Sequence, residues 1–409
     1  MKKLIMSLLV LLGTCFVQAQ NSITVKTKDG KEHVIDFPNG MQSDMDSLYW
    51  DWQSKYCLFV ATDCDVSTPN PVISDSIYID RLSRIPTSME LPFNEVVKKF
   101  IESYTNRLRK KVSFALACNN FYIPIFEEAL DVYGLPLELK YLPIIESSLN
   151  PTAVSRQGAT GLWQFMLRTG KIYGLESNSL VDDRRDPVKS TWAAVRYLKD
   201  LYDIYKDWNL VLAAYNCGPG NINKAIRRAD GEADYWSIYN YLPRETRGYV
   251  PGFIATTYIM NYYCDHGIYP MESKLPAATD TLLLHKNLHL QQVADVCQID
   301  IEQLRCLNPQ YKRDLIPADE TLRSLRLPSH KISNFLASED SIYAYKAEKY
   351  LNKRKIVAIK EVKEQYHRIR NGENLGSIAA RYHVSVKQLR QLNHLKGNNI
   401  RAGRTLRIR

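Results

Sequence analysis

Leu139-Lys140-Tyr141-Leu142-Pro143-Ile144-Ile145-Glu146-Ser147-Ser148-Leu149-Asn150-Pro151 is the stretch on which the reading of this chain turns. It places one carboxylate, Glu146, among apolar neighbours at the end of a helix. Burial among apolar groups disfavours the charged form of a carboxyl and raises its pKa. A raised pKa suits a general acid, which has to hold its proton near neutral pH. Standing alone, the same pattern also describes an exposed glutamate on an amphipathic helix, so the surrounding sequence has to decide.

Outward from this stretch, residues 76–275 carry helical spacing without an interrupting strand pattern. Phe93, Val96, Val97, Phe100, Ile101, Tyr104 and Leu108 recur at intervals that share one helix face. Asp186-Pro187 opens a further helix, with Asp as the cap and Pro at the first helical position. Its apolar face is expected to run Val188, Trp192, Val195, Leu198, Tyr202 and Tyr205. A third long helix follows Pro243 and stops near Gly267. The fold class is therefore mainly α, with an all-α domain of about 200 residues.

Three more stretches follow Glu146-Ser147 in order. They are Ser155 with Gly158-Ala159-Thr160-Gly161-Leu162-Trp163-Gln164-Phe165-Met166, then Ala213-Ala214-Tyr215-Asn216-Cys217-Gly218-Pro219-Gly220, then Leu242-Pro243-Arg244-Glu245-Thr246-Arg247-Gly248-Tyr249-Val250-Pro251. On these four stretches the chain resembles the lytic murein transglycosylases of the soluble-lytic-transglycosylase, goose-lysozyme-like class, and in detail their membrane-bound D type. The resemblance implies a lysozyme-like fold for residues 76–275 and Glu146 as the catalytic residue. It implies that Ser155, Gln164 and Met166 line the cleft and hold the sugar, and that Tyr215 and Asn216 face the catalytic glutamate. By the same resemblance Tyr249 contacts substrate near the scissile bond, while Glu245 and Arg247 belong to a structural network beneath it. Gly158 and Gly161 read as sharp turns or close backbone approaches. Trp163, Phe165 and Trp208 read as core. Asp186 reads as a cap, and Asp182 and Asp183 as loop residues, so no second carboxylate is nominated. Ordinary glycosidases use two. This family uses the substrate's own C6 hydroxyl as nucleophile, so that one residue serves as acid and then base and leaves a 1,6-anhydro end. No Cys/His cluster has metal-ligand spacing, and neither metal nor cofactor is expected.

The ends of the chain differ in character from the helical block. Residues 366–409 read as strand, helix, helix and strand, and Tyr366 to Arg370, Gly372-Glu373-Asn374-Leu375, Ile378-Ala379, Leu392-Asn393 and Ile400 to Gly403 make them resemble a LysM module, a small glycan binder. Asn374 stands where that family usually has Thr, and Asn also caps helices. Residues 281–327 echo the module: Leu304-Arg305-Cys306-Leu307-Asn308 parallels Leu389-Arg390-Gln391-Leu392-Asn393. This copy lacks the Gly-Asp/Glu loop, so a spacer role is as good a reading as glycan binding. Residues 330–364 read as a charged linker with some helix. Residues 20–75 have no assigned role beyond a β-hairpin around Asp29-Gly30.

Residues 1–19 read as an export signal: Lys2 and Lys3, an apolar run to Phe16, and Val17-Gln18-Ala19 before the cut. Periplasm or cell envelope is the expected location, and no later stretch suits a membrane anchor. Thr14 before Cys15 argues against lipidation. Export permits disulfides, and Cys57 with Cys64 or Cys297 with Cys306 are near enough in sequence to pair. The net charge of +10 is uneven, since residues 341–409 hold 17 Lys/Arg against four Asp/Glu. Export argues against nucleic acid as the partner, whereas peptidoglycan strands, with carboxylates on their stem peptides, fit a basic chain. Two other functions share these features. One is a lysozyme-type hydrolase, and the other is a wall-binding protein with a dead catalytic domain.

Overall fold

In the computed structural model, the described residues are 21–26, 32–42, 70–273, 275–351, 366–382, 384–393, 395 and 397–408. The expected signal, Cys15, the Asp29-Gly30 turn, Cys57 and Cys64 lie outside them. The chain divides into two units, the second of which holds the C-terminal module, and each is described by itself. Among the described residues no helix is long and apolar enough to cross a membrane.

The helical block begins with a hairpin, β1 (Ser22–Lys26) antiparallel to β2 (Glu32–Asp36), in the register Thr24↔Val34. It continues through α1 (Asp75–Ser83), α2 (Glu95–Thr105), α3 (Arg109–Val132), α4 (Leu142–Ser147), α5 (Leu167–Ile172), α6 (Pro187–Tyr205), α7 (Trp208–Cys217), α8 (Pro219–Arg228), the short α9 (Tyr235–Ile238) and α10 (Arg244–Tyr262). The starts of α2 and α6 follow the expected chemistry. The Asn94 side chain accepts from Val97 N, and Asp186 accepts from Val188 N and Lys189 N, each satisfying amides a helix cannot pair itself. The buried stripe of α6 is narrower than expected. It centres on Ala194, Val195, Leu198 and Leu201, and Trp192, Tyr202 and Tyr205 pack at its margin. Small residues there let α3 and α7 approach closely.

Helix α10 is the central beam. Pro251 sits in its interior and cannot donate to the Arg247 carbonyl. The Tyr235 hydroxyl takes that carbonyl instead, at 3.0 Å, so the helix continues without an orphaned acceptor. The N-terminal hairpin shares the same core. Ile23, Val25, Ile35, Phe37 and Met41 are buried with the apolar residues of α2, α3 and α10, and Phe37 meets Phe100 edge-on at 5.2 Å. A segment with no role legible in sequence is thus part of the catalytic block.

The first module follows as β3 (Thr279–Leu284), β4 (Leu288–His289), α11 (Leu290–Cys297), α12 (Ile301–Leu307), β5 (Leu315–Ile316) and β6 (Arg323–Pro328). β3 pairs antiparallel with β6. The short helices α13 (Ile332–Ala337), α14 (Glu339–Ala344) and α15 (Ala347–Tyr350) come next, in the stretch read as a charged linker. Phe335 and Ile342 are buried in the module's core, and Gln292 donates to the carbonyls of Ile342, Tyr343 and Tyr345. The module is tied to the helical block by backbone as well as side chains. Asp182 N donates to Gln310 O and Lys312 N to Leu180 O, both at 2.9 Å, and Arg323 pairs with Glu176 at 2.8 Å. Cys297 and Cys306 are not bridged to each other. Their side chains serve different cores, Cys297 that of the module and Cys306 that of the helical block, which explains the missing bridge.

The second unit is β7 (Tyr366–Arg368), α16 (Leu375–Arg381), α17 (Val386–Leu392) and β8 (Thr405–Arg407), with β7 antiparallel to β8. Asn374 caps α16 in a reciprocal box with Ser377. The repeat seen in sequence is structural. Asn308 donates to Leu304 O and Arg326 O and accepts from Arg326 N. Asn393 does the same with Leu389 O, Arg407 O and Arg407 N. One asparagine in each copy pins the second helix to the closing strand.

Candidate active site

Glu146 lies on the last turn of α4, only 6% exposed. The helix ends abruptly because Ser148 and Leu149 both take left-handed backbone, with φ of 51° and 60°. Their amides close back onto Ile144 O and Pro143 O, which satisfies the last carbonyls of the helix. Two consecutive non-glycine residues in this region carry strain, which the packing has to hold. The result is a carboxyl fixed at the floor of a cavity of about 550 Å³.

Burial drives the Glu146 pKa up to about 8. A hydrogen bond from the Tyr249 hydroxyl works in the opposite direction, and the nearby Glu245 carboxylate adds to the rise. Tyr249 comes from α10, is buried, and has its own pKa held well above 10 by burial and by Glu146. It therefore acts as a neutral donor. Tyr249, expected near the scissile bond, is buried against the carboxyl and does not line the cavity.

The other nominated residues do converge. Ser155, Gln164, Met166, Tyr215 and Asn216 all line the cavity with Glu146. The Ser155 hydroxyl accepts from Gln157 N and Ala159 N, at 3.3 and 3.1 Å, leaving its own proton to donate. Gln164 has φ of 47°, donates to Gly161 O at 2.8 Å, and keeps a buried Oε1 without a hydrogen-bond partner. Met166 is 43% exposed, an apolar face turned toward the opening. The Tyr215 hydroxyl donates to Trp163 O at 2.8 Å, and Asn216 Oδ1 accepts from the Thr246 hydroxyl at 2.8 Å. Trp163 is core and donates to Thr191, and Trp208 stacks on Tyr202 with centroids 4.3 Å apart. Phe165 is buried yet contributes to the cavity wall.

Two readings of carboxylates need correction. Glu245, assigned to a network under the site, is in the cavity wall, so a second carboxyl does face the cleft. Burial raises its pKa, the neighbouring Asn216 side chain opposes that rise, and Asn39 donates to its Oε1 at 3.3 Å. Its partner in that expectation, Arg247, is structural, donating to Leu242 O and Asn240 O. Asp182 and Asp183 are not plain loop residues but buried anchors. Asp182 holds Arg184 through two contacts of 2.9 Å, and Arg184 in turn donates to Gly158 O and Phe165 O, both at 3.2 Å. Asp183 pairs with Lys189 at 3.0 Å. The buried Asp182–Arg184 pair braces the loop that carries Gln164.

Sequence reasoning missed Asn39 and Gln42, which also line the cavity. They are placed by Gly40, whose backbone lies so close to α4 that a Cβ would come within 2.4 Å of Ile144 O. Gly40 O accepts from Lys111 Nζ at 3.0 Å and from the Ser148 hydroxyl at 2.5 Å. The only signal in the sequence was Pro38-Asn39-Gly40 after a strand, which reads as an ordinary turn.

Three parts of the chain match known protein families. Residues 124–238 match the Transglycosylase SLT domain, residues 278–344 the LysM-like domain of lytic transglycosylase MltD, and residues 367–409 the LysM domain. The chain thus carries an SLT domain followed by LysM-type modules, the domain set of a lytic murein transglycosylase. In particular it is similar to membrane-bound lytic murein transglycosylase D of Escherichia coli (strain K12), 32% identical over 281 residues, which are 67% of this chain and 60% of that one. It is also 32% identical over 120 residues to peptidoglycan transglycosylase gp16 of Escherichia phage T7, covering 29% of this chain and 9% of that protein. The 70 kDa soluble lytic transglycosylase of Escherichia coli, a solved structure, is 27% identical over 35% of this chain and 24% of that one, with a TM-score of 0.31.

Proposed function

We propose that this chain cleaves the β-1,4 bond between N-acetylmuramic acid and N-acetylglucosamine in peptidoglycan, leaving 1,6-anhydromuramic acid ends. The observation that carries the reading is the buried Glu146 carboxyl, with its pKa pushed up to about 8, at the floor of a cavity lined by sugar-sized polar and apolar contacts. Protonated at neutral pH, Glu146 gives its proton to the glycosidic oxygen as the bond to C1 breaks. The N-acetylglucosamine leaves as an alcohol. Glu146, now a carboxylate, takes the proton from the C6 hydroxyl of the muramic acid, and O6 closes onto C1. Intramolecular attack of this kind reaches effective molarities on the order of 10⁵–10⁸ M, so no water nucleophile is needed. Ser155, Gln164 and Asn216 offer hydrogen bonds to hydroxyl and acetamido groups, Met166 and Tyr215 an apolar surface for the ring, and Tyr249 orients the acid. Glu245 has its oxygens engaged by asparagines, which suits a positioning role better than that of a second catalyst. Peptidoglycan as the partner of the LysM-type modules and export to the cell envelope belong to the same reading. The name of the D-type relative, membrane-bound, lends no support to the expectation that Cys15 is free of lipid.

Products decide between the readings. Mass spectrometry of muropeptides released from purified sacculi is expected to give anhydro ends. Free reducing ends would favour the hydrolase, and sacculi bound without any release would favour a wall-binding protein.

The pH profile follows from the same proton. kcat/KM is expected to fall on the alkaline side with an apparent pKa near 8, where free Glu146 ionises. Tyr249→Phe removes a hydrogen bond that favours the carboxylate, so the variant's alkaline limb should move to higher pH. An unmoved limb would mean that Glu146 is not the group titrating.

A further inference from the structure

A second cavity, of about 530 Å³, lies at the seam between the helical block and the first LysM-like module. Resting on the reading that the substrate is peptidoglycan, we propose that this cavity binds the carboxylates of a stem peptide attached to the strand being cut.

The wall of the cavity is cationic. Arg185 comes from the loop before α6, and Arg305, Lys312 and Arg313 come from the module, against a single acid, Asp314. That acid is consumed, since Arg305 binds both of its oxygens at 2.6 to 3.2 Å. Lys312 reaches Asp182 at 3.8 Å, an acid whose oxygens Arg184 already holds. Arg313 is exposed and forms no ion pair among the described residues. Arg185 is more telling. It is half-buried, its Nε is fully buried without a hydrogen-bond partner, and no carboxylate pairs with it among the described residues. Burial lowers its pKa, and the nearby Asp182 carboxylate, already bound to Arg184, does not reverse that. Unpaired, partly desolvated guanidiniums are costly unless a ligand anion completes them, and their planar fork suits a carboxylate.

Position makes the ligand a peptide of the substrate rather than any anion. Thr152 is on the rim of this cavity, and Ser155 is in the wall of the catalytic one. Three residues of chain separate them, so the two rims are at most about 10 Å apart along the backbone. A stem peptide hangs from the lactyl group of muramic acid, and about three of its residues, extended, cover the same span. Its carboxylates then fall where the arginines are. The rim is held firmly, because Asn150 Oδ1 accepts from both Thr152 N and the Thr152 hydroxyl at 2.8 Å.

The test is binding to the full-length Glu146→Gln protein, which on the reading above does not cut. The probes are a synthetic L-Ala–γ-D-Glu–diaminopimelate–D-Ala peptide, the same peptide with its carboxyls amidated, and inorganic phosphate, each titrated calorimetrically. The acidic peptide should bind, and adding Arg185→Gln or Arg313→Gln should weaken it about tenfold, the effect of one charge-assisted contact. The amidated peptide should bind no better than the acidic peptide does to the variants. Equal binding of both peptides overturns the proposal, and so does binding of phosphate without the acidic peptide. Arg313 is exposed, so its variant removes the risk that a misfolded Arg185 variant is mistaken for support. In the cutting protein, Arg313→Gln should abolish any preference for sacculi over strands stripped of peptide while leaving the rate on stripped strands unchanged; a preference that survives would count against the site. Because binding is read in a protein that does not turn over, failure of the catalytic reading leaves this result standing on its own.

Discussion

Glu146→Gln is expected to lower cleavage of sacculi by at least about 10³-fold, because one group serves as both acid and base. The variant should nonetheless fold, and at alkaline pH should be the more stable protein. Glutamine has the shape of the protonated carboxyl and keeps an oxygen for the Tyr249 hydroxyl. In the unfolded chain Glu146 loses its proton near its ordinary value of 4.5, whereas in the folded chain it keeps it to about 8. Between those values the folded state binds one more proton than the unfolded one, so wild-type stability falls as pH rises. The glutamine variant has no such slope. Thermal melts should show its advantage growing from pH 5 to pH 8, by a shift on the order of a few kcal/mol. Substantial residual cleavage, or an advantage independent of pH, would remove Glu146 from its assigned place.

Gly161→Ala should be nearly as severe, through structure rather than chemistry. Gly161 has φ of 88°, and a Cβ there would lie 1.8 Å from Arg184 O. Neither side can yield cheaply. Gly161 N donates to Ala153 O at 2.9 Å, and Arg184 is locked by Asp182, Gly158 and Phe165. A loss on the order of 3 kcal/mol or more is expected, read as a lower denaturant midpoint at unchanged slope. Gln164 sits three residues on, so surviving protein should cut poorly, since a displacement of about 1 Å can cost about 10²-fold. Gly158→Ala is the control: its φ is 85° but nothing lies within 4 Å, so only the backbone preference of about 1 kcal/mol is lost. Equal effects at the two positions would show that contact with Arg184 is not what matters.

What could be read in the sequence was what depends on neighbours in sequence. Leu142, Ile144 and Ile145 around Glu146 foretold a dry carboxyl, and Asp186-Pro187 foretold a capped helix, because both effects act within a turn. The cleft residues Ser155, Gln164, Met166, Tyr215 and Asn216 came from the motifs they sit in. Asn39 and Gln42 were invisible because they reach the cleft only through Gly40, packed against a helix more than a hundred residues later. Tyr249 was placed beside Glu146, but its burial under the carboxyl could not be read, since sequence gives no depth. Asp182, Asp183 and Glu245 were misjudged for a common reason. A carboxylate in a loop looks solvated until the arginine, lysine or asparagine that pays for its burial is known.

The turn after the hairpin, which lends Asn39 and Gln42 to the cleft wall, also sets when the cleft comes into being. Asn39 meets Glu245 across 206 residues of chain, and the beam on which the hairpin rests ends only at Tyr262. Synthesis makes the wall first and its foundation last, and closing so long a loop is among the slower steps a chain can take. On the proposed activity, a nascent or prematurely ended chain therefore cannot cut. The capacity to cut appears only once the whole block has been made.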